Sequence, residues 1–323
     1  MPNPLVGSVH VDAALSNMSV AYVQDKGVFA ARRMFPVVPV QHRSDKYYVY
    51  NQSDFLRDEV QARAAGTESA GAGYRLTTET YTAERYALHQ MISDELLFNA
   101  DPAIDPERDA VEFITQKMLI HEDRKFDADF MQAGSGWGTT KNGSGDTDFN
   151  QFTVSSTDII STMDGWGDEI QQKTGKRPNK LLISRDLYSV FKNNETILES
   201  IKYTQRGILT PDLLASLFSL DEVIVAESVY ESAAEGGTSS LAYNIGSGKG
   251  LLAYVAPTPS LLTPSAGYTF AWSPFSDAAG GATIKNFRMD ELSADRIEGE
   301  AYWDQKAVST DCGLFFYNAK GTE

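Results

Sequence analysis

The sequence predicts an α+β fold, and three observations carry that reading. A helical pattern runs without a breaker from Pro106 to about Ala133, ~40 Å at 1.5 Å per residue. A block over residues 150–270 alternates short helices with short apolar strands. Strands and one long hairpin flank both.

Residues 1–45 show no convincing periodicity until VQDKGVFAARRMFPVVPV, where Phe35-Pro36-Val-Val-Pro39 reads as extended chain because each proline disfavours helix in the residue before it. This segment is expected to be an arm. KYYVY (46–50) has the aromatic and β-branched content of a strand. A Gly-rich excursion follows, and TETYTAERYALHQ returns as a second strand. Residues 46–90 therefore form an extended loop, a β-hairpin with too little apolar surface to bury itself.

Within residues 91–149, Asp105 is a good N-cap, Pro106 suits the first helical position, and Gly134 is a natural stop. A Gly-, Ser- and Asp-rich loop (134–148) leads into the alternating block. There a helix begins at Ser156-Thr-Asp-Ile-Ile, with Ile159, Ile160, Met163, Trp166 and Ile170 sharing a broad face. KLLIS (180–184) is a buried strand. RDLYSVFKNN and NETILESIKY are helices divided at Asn194, and Thr210 caps another. EVIVAESVY is expected as one strand, and LAYN with LLAYV as a hairpin around Gly246–Gly250. Residues 271–323 return to strand. In DRIEGEAYWDQKAV, Ile297, Gly299, Ala301 and Trp303 alternate with Arg296, Glu298, Glu300, Tyr302 and Asp304, the period of a half-buried strand.

The chain of 323 residues carries 44 acidic against 28 basic side chains, a formal charge of −16, which argues against a protein that grips nucleic acid through its phosphates. No apolar run approaches the ~20 residues of a membrane span. The first residues lack the basic-then-apolar order of a secretory signal. Cys312 is the only cysteine, so no intrachain disulfide is possible, and cytosolic synthesis is the expectation.

Chemical motifs fall short of their requirements. His121-Glu122 opens a zinc-protease pattern, but the second histidine position holds Lys125. The surrounding charges suit helix pairs Glu122–Lys125, Arg124–Asp127 and Lys125–Asp129, with His121 a surface or contact residue. IGSGKG (245–250) lacks the Ser or Thr after Lys249 and has Tyr243 where a phosphate loop begins with glycine. Asp146, Asp148 and Asn150 have calcium-loop spacing, but Gln151 and Thr157 occupy the two diagnostic positions. Gly71–Leu76 lacks the third glycine of a dinucleotide fingerprint. Cys312 lies among apolar neighbours, and Arg32-Arg33 is expected to meet carboxylates. His10, His42, His89 and His121 all lie outside 150–270. No catalytic, cofactor-binding or metal-ligating residue is expected, and no cofactor.

Several long stretches resemble the major capsid proteins of tailed bacteriophages. They are KYYVY with RAAGTESAGAGYRLTTETYTAERYALHQMISDE; DPAIDPERDAVEFITQKMLI; IKYTQRGILTPDLLASLFSLDEVIVAESVY; and FRMDELSADRIEGEAYWDQKAVSTDCGLFFYNA. The resemblance runs from about Phe35 to Ala319. It implies an N-terminal arm (1–45), an extended loop lying over a neighbour (46–90), a peripheral domain (91–149) with a spine helix (106–133), an axial domain (150–270), and return strands of the peripheral domain (271–323). It also implies hexamers and pentamers of this chain in an icosahedral shell around double-stranded DNA, with portal, scaffolding and possible decoration proteins as partners. The location implied is the virion, after assembly in the host cytoplasm, with no membrane.

The chain enters its arm at once, so any scaffolding protein is expected to be separate. The hairpin's single lysine, Lys46, sits at its base, which argues against lysine–asparagine cross-linking. Two other readings are an encapsulin-like shell storing cargo enzymes and a carboxylate-dependent enzyme in 150–270.

Overall fold

The computed structural model describes residues 23–100, 104–154, 157–201, 209–260, 262–276 and 282–321. The first 22 residues of the expected arm, Ser156 and Lys202–Tyr203 lie outside them. Chain order begins with α1 (Ala31–Met34), β1 (Val37–Val40), β2 (Ser44–Tyr50), α2 (Gln52–Leu56), β3 (Leu76–Thr82), β4 (Glu84–Ser93), α3 (Asp94–Asn99) and α4 (Pro106–Phe130). It continues with β5 (Thr139–Asn142), α5 (Ile159–Thr174), β6 (Lys180–Ser184), α6 (Arg185–Asn193), α7 (Glu195–Ile201) and α8 (Pro211–Leu217). The remaining strands are β7 (Glu222–Ala226), β8 (Val229–Glu231), β9 (Leu241–Tyr243), β10 (Gly250–Ala253), β11 (Gly267–Trp272), β12 (Thr283–Met289), β13 (Ala294–Ala307) and β14 (Gly313–Tyr317).

One five-stranded sheet runs β5-β14-β10-β6-β7. Apart from the polar edge strand β5, its strands are largely apolar runs because both faces are covered. Leu181, Ile183, Val223, Val225, Leu252, Leu314 and Phe316 meet α5 to α8. Leu182, Ile224, Leu251, Ala253 and Phe315 point the other way, onto Phe35, Phe126, Phe130 and Trp137. Asp158 caps α5 through Ser161 N–H, Asn194 caps α7 through Ile197 N–H, and Thr210 caps α8 through Leu213 N–H, so those helix starts fall where expected.

In the second sheet, β1, β11, β13 and β12 follow one another, and β4 lies along the other side of β13. Ile92, Leu96, Ala110, Ile114 and Ile297 form its core against α3 and the first half of α4. Gly299 is where α4 comes closest: a Cβ there would stand 2.5 Å from Ile114 Cγ2.

The 25-residue α4 thus joins both cores, and it ends at Phe130, three residues before the expected limit. Asp105 Oδ1 accepts Arg108 N–H at 3.2 Å, the expected cap. From Ile114 to Phe126 the buried direction turns by ~120°, since twelve residues at ~100° each leave that remainder after three turns. One end of the helix faces one sheet and the other end faces the other, so no single apolar stripe runs along it.

Several expectations change. Phe29, Ala30, Ala31, Met34 and Phe35 are core residues and β1 pairs in parallel with β11, so the expected arm is part of the body from Phe29 to Val40. The hairpin closes at Thr82, and β4 belongs to the second sheet along its whole length. EVIVAESVY breaks into β7 and β8, and β9 pairs with β8, so LAYN and LLAYV do not form a hairpin. A strand missed in the glycine-rich loop, β5, pairs with β14. β13 is buried on both faces over Ile297–Trp303, not half-buried, because its glutamates are covered by basic side chains.

Candidate assembly surface

The charged stretch of α4 has a structural task. Asp123, 1% exposed, accepts the N–H of Ala30 at 3.1 Å and of Ala31 at 2.9 Å, and the Ser228 hydroxyl at 2.6 Å. Glu122, 2% exposed, takes Arg32 at 2.8 Å. Asp127 meets Lys249 at 3.2 Å, and Arg124 lies 4.2 Å above the Tyr230 ring. Of the three expected helix pairs only Lys125–Asp129 forms, at 3.2 Å. The other side chains reach across to the N-terminal segment and to β8–β10, since the helix is enclosed there and tertiary partners outcompete neighbours four residues away. Burial pushes the carboxyls of Glu122 and Asp123 upward, against the opposing pull of Arg32 on Glu122 and of the Ser228 and backbone donors on Asp123.

His121 stays at the surface with its ring 4.9 Å from Tyr86. Partial burial, then Lys125 and Arg124, lower its pKa. Among the described residues no group of three or more His, Cys, Asp or Glu side chains is placed to hold a metal ion. Asp148 accepts Asn142 N–H at 2.7 Å and closes the turn after β5. Gly248 has a left-handed φ of 66°, where IGSGKG turns into β10. Cys312 is buried, which raises its thiol pKa. Arg32 and Arg33 both meet carboxylates, Glu122 and Glu222.

The unusual surface is the β2–β3 hairpin. Its base is anchored: Tyr81 and Tyr47 stack on Phe270 at 4.6 and 5.8 Å. Beyond it, no residue from 48 to 80 is buried. The ribbon nonetheless holds its own shape. Asn51 caps α2 through Ser53 N–H, Asp54 accepts the backbone N–H and the guanidinium of Arg75 at 3.0 Å, and Tyr50, Phe55 and Tyr74 form a triangle 5.5–5.8 Å on a side. Phe55, Leu56, Val60 and Tyr74 all face solvent, Val60 at 91% exposure. Large apolar side chains on a preformed projection mark an interaction surface. The sequence showed the projection but not these contacts, because Tyr74 meets Tyr50 and Phe55 only when the ribbon closes.

A second open surface lies on the β4–β13–β12 sheet, opposite α4. Pairing register sets Arg85 beside Tyr302, His89 beside Glu298, and Lys285 beside Glu298 on one face. Arg85 bridges Glu298 at 3.2 Å and Glu300 at 2.7 Å; Lys285 also meets Glu300, and Arg296 meets Glu298.

A sheet enclosed by helices, a second sheet joined to it by one long helix, and an unfinished hairpin define a shell-forming structural protein with the fold shared by tailed-phage capsids and encapsulins. The chain is 25% identical over 319 residues to the major capsid protein of Burkholderia phage BcepMu, covering 96% of this chain and 97% of that one. A crystal structure of a phage-related protein from Bordetella bronchiseptica superposes with a TM-score of 0.70 at 18% identity, covering 93% of this chain and 95% of that one. The capsid of cyanophage P-SCSP1u gives 0.58 at 12%, covering 88% and 86%. A holo-encapsulin complex from Synechococcus elongatus gives 0.57 at 11%, covering 96% of each chain. No protein-family model matches.

Proposed function

We propose that this chain is the major capsid protein of a tailed bacteriophage, assembling as hexamers and pentamers into the icosahedral head that encloses double-stranded DNA. The observation that carries this reading is the end-to-end match to a phage major capsid protein, 96% of one chain on 97% of the other. In this reading the N-terminal residues up to about 28 act as the arm, and the β2–β3 hairpin is the extended loop. α4 is the spine of the peripheral domain together with the β4–β13–β12 sheet, and residues 150–270 are the axial domain. The finished particle is the virion, assembled in the host cytoplasm with a portal protein and a separate scaffolding protein. The acidity of the chain, −16 overall, suits a wall that lets DNA slide past without binding its phosphates.

The chain's role is structural, not catalytic. The described carboxylates of 150–270 whose pKa is shifted, Glu169, Asp186, Glu222 and Glu231, are all lowered and all engaged by lysines, arginines, hydroxyls or backbone N–H groups. That is the pattern of ion pairs and turns, whereas a general acid needs a raised value.

The encapsulin reading shares the fold, and an encapsulin structure superposes over 96% of this chain. Sequence favours the phage reading, at 25% identity against 11%. Electron microscopy of the purified protein, expressed with and without its neighbouring genes, tests both. Closed shells that fill with DNA in the presence of a portal and packaging machinery are expected. Shells that load only a co-expressed enzyme would favour the encapsulin reading, and a monomer at all concentrations would overturn both.

A further inference from the structure

We propose that Asn142 is a latent deamidation site, held unreacted by one backbone hydrogen bond between the end of β5 and β14. This is a property of the single chain, whatever it assembles into.

Asn142-Gly143 is the one Asn-Gly pair in the sequence. An asparagine converts when the backbone nitrogen of the next residue attacks its side-chain carbonyl carbon, and a glycine there, lacking a Cβ, hinders the attack least. Packing dictates the glycine. A Cβ at position 143 would stand 2.6 Å from Asn318 O and 2.8 Å from Phe149 Cζ.

The electrophile is already arranged. Asn142 Oδ1 accepts Ser144 N–H at 2.9 Å and an Asn318 Nδ2 proton at 3.0 Å. Donors on that oxygen polarise the carbonyl and stabilise the oxyanion that forms when a nucleophile adds. Nδ2, the atom that leaves as ammonia, has no hydrogen-bond partner among the described residues.

The nucleophile is what the fold withholds. Gly143 N–H donates to Tyr317 O at 3.0 Å, directly after the paired residues Tyr317 and Asn142. While its proton is bound to that carbonyl, the nitrogen neither loses it nor turns toward Asn142 Cγ. Asn142 is pinned as well: Asp148 Oδ2 accepts its N–H at 2.7 Å, and its C=O accepts Asp148 N–H at 3.1 Å. β5 is an edge strand of its sheet, so this hydrogen bond lies at the end of an edge, where local opening costs least.

Opening starts the reaction. Gly143 N gives its proton to water and bonds to Asn142 Cγ, the Cγ–Nδ2 bond breaks, and Nδ2 takes up a proton and leaves as ammonia. Water then opens the cyclic imide at either carbonyl, leaving aspartate or isoaspartate at 142. Nothing is oxidised or reduced, and water is the only co-reactant. Either product adds a negative charge beside Asp148. Isoaspartate also inserts a methylene into the main chain, so the bonds to Tyr317 and Asp148 no longer re-form together. Conversion thus keeps the end of β5 open and records that it has opened.

The test follows conversion at Asn142 in the purified full-length chain, native and in guanidinium, at one pH and temperature. Peptide mass spectrometry gives the rates, enzymatic methylation identifies isoaspartate, and deuterium exchange at Gly143 N–H is measured on the same native sample. The unfolded chain is expected to convert at 142 faster than at any other asparagine. The native chain should convert at least about tenfold more slowly, with a rate ratio within about threefold of the open fraction read from Gly143 exchange. Equal native and unfolded rates, or native conversion that departs from Gly143 exchange, overturn the gate. No preference for 142 in the unfolded chain overturns the site. Converted chains whose β5 amides stay as protected as before overturn the permanent opening.

Discussion

Asp123 and Glu122 are neighbours on α4 with different tasks: one holds two backbone N–H groups at the start of α1, the other neutralises Arg32. Asp123→Ala strands those donors in the interior and should cost about 3 kcal/mol of unfolding free energy, read from urea melts. Asp123→Asn, which keeps one acceptor, should cost less. Glu122 supplies a test in pH. Burial raises its pKa despite Arg32, so the folded state holds the proton more tightly than the unfolded chain does. Stability from this group is therefore full below the ordinary glutamate pKa of ~4.3 and falls as pH rises through the folded value. Glu122→Gln does not titrate. Its stability relative to wild type should improve as pH rises from 4, and a flat difference from pH 4 to 7 would contradict the assignment. Glu222 behaves the opposite way. Partial burial works to raise it, but Arg33 and Lys180 outweigh that and hold it low. Its pairing stabilises above the unfolded pKa and is lost as pH falls through the folded one, so Arg33→Ala should matter at pH 7 and progressively less as the carboxylate is protonated in acid.

α4 is the element on which the two sheets depend. Phe126 is fully buried, with its ring 5.0 Å from Phe35. Phe126→Ala should cost about 3–5 kcal/mol through lost packing and the cavity left behind. Asp105→Ala removes one cap on an exposed end and should cost about 1 kcal/mol. The same denaturant measurement ranks the two. Equal effects would mean that the helix is held by its own ends and not by the cores at either side.

At the scale of the molecule, one chain completes most of its own burial. The segment Phe29–Val40, expected to belong to an arm, is already packed under α4 through Phe29–Phe35 and paired with β11 through Val37–Val40. The ribbon is what stays open. Replacing residues 51–75 with a two-residue Asn-Gly turn, suited to joining antiparallel strands, should leave the monomer's stability within ~0.5 kcal/mol of wild type, because no residue from 48 to 80 is buried. Particle formation, followed by light scattering and electron microscopy, should be lost. A shortened chain that still forms closed shells would show that the ribbon is dispensable.

Local chemistry made much of the layout legible from sequence. Asp105, Asn194 and Thr210 set helix starts because a capping oxygen needs only the next three residues. KLLIS was legible as a buried strand because a sheet covered on both faces selects apolar residues at every position. Other features depended on partners far away in the chain. Glu298 and Glu300 read as solvent-facing until Arg85, more than two hundred residues earlier, is brought across them by β4. Glu122 looked like a helix-surface charge until Arg32 arrived from the N-terminal segment. By itself the sequence determined the helices, the apolar strands and the ribbon that one chain leaves uncovered, since each follows from short-range chemistry or from too little apolar content. Only the tertiary structure decided which charges are buried and which faces stay open, because those depend on distant side chains meeting in space.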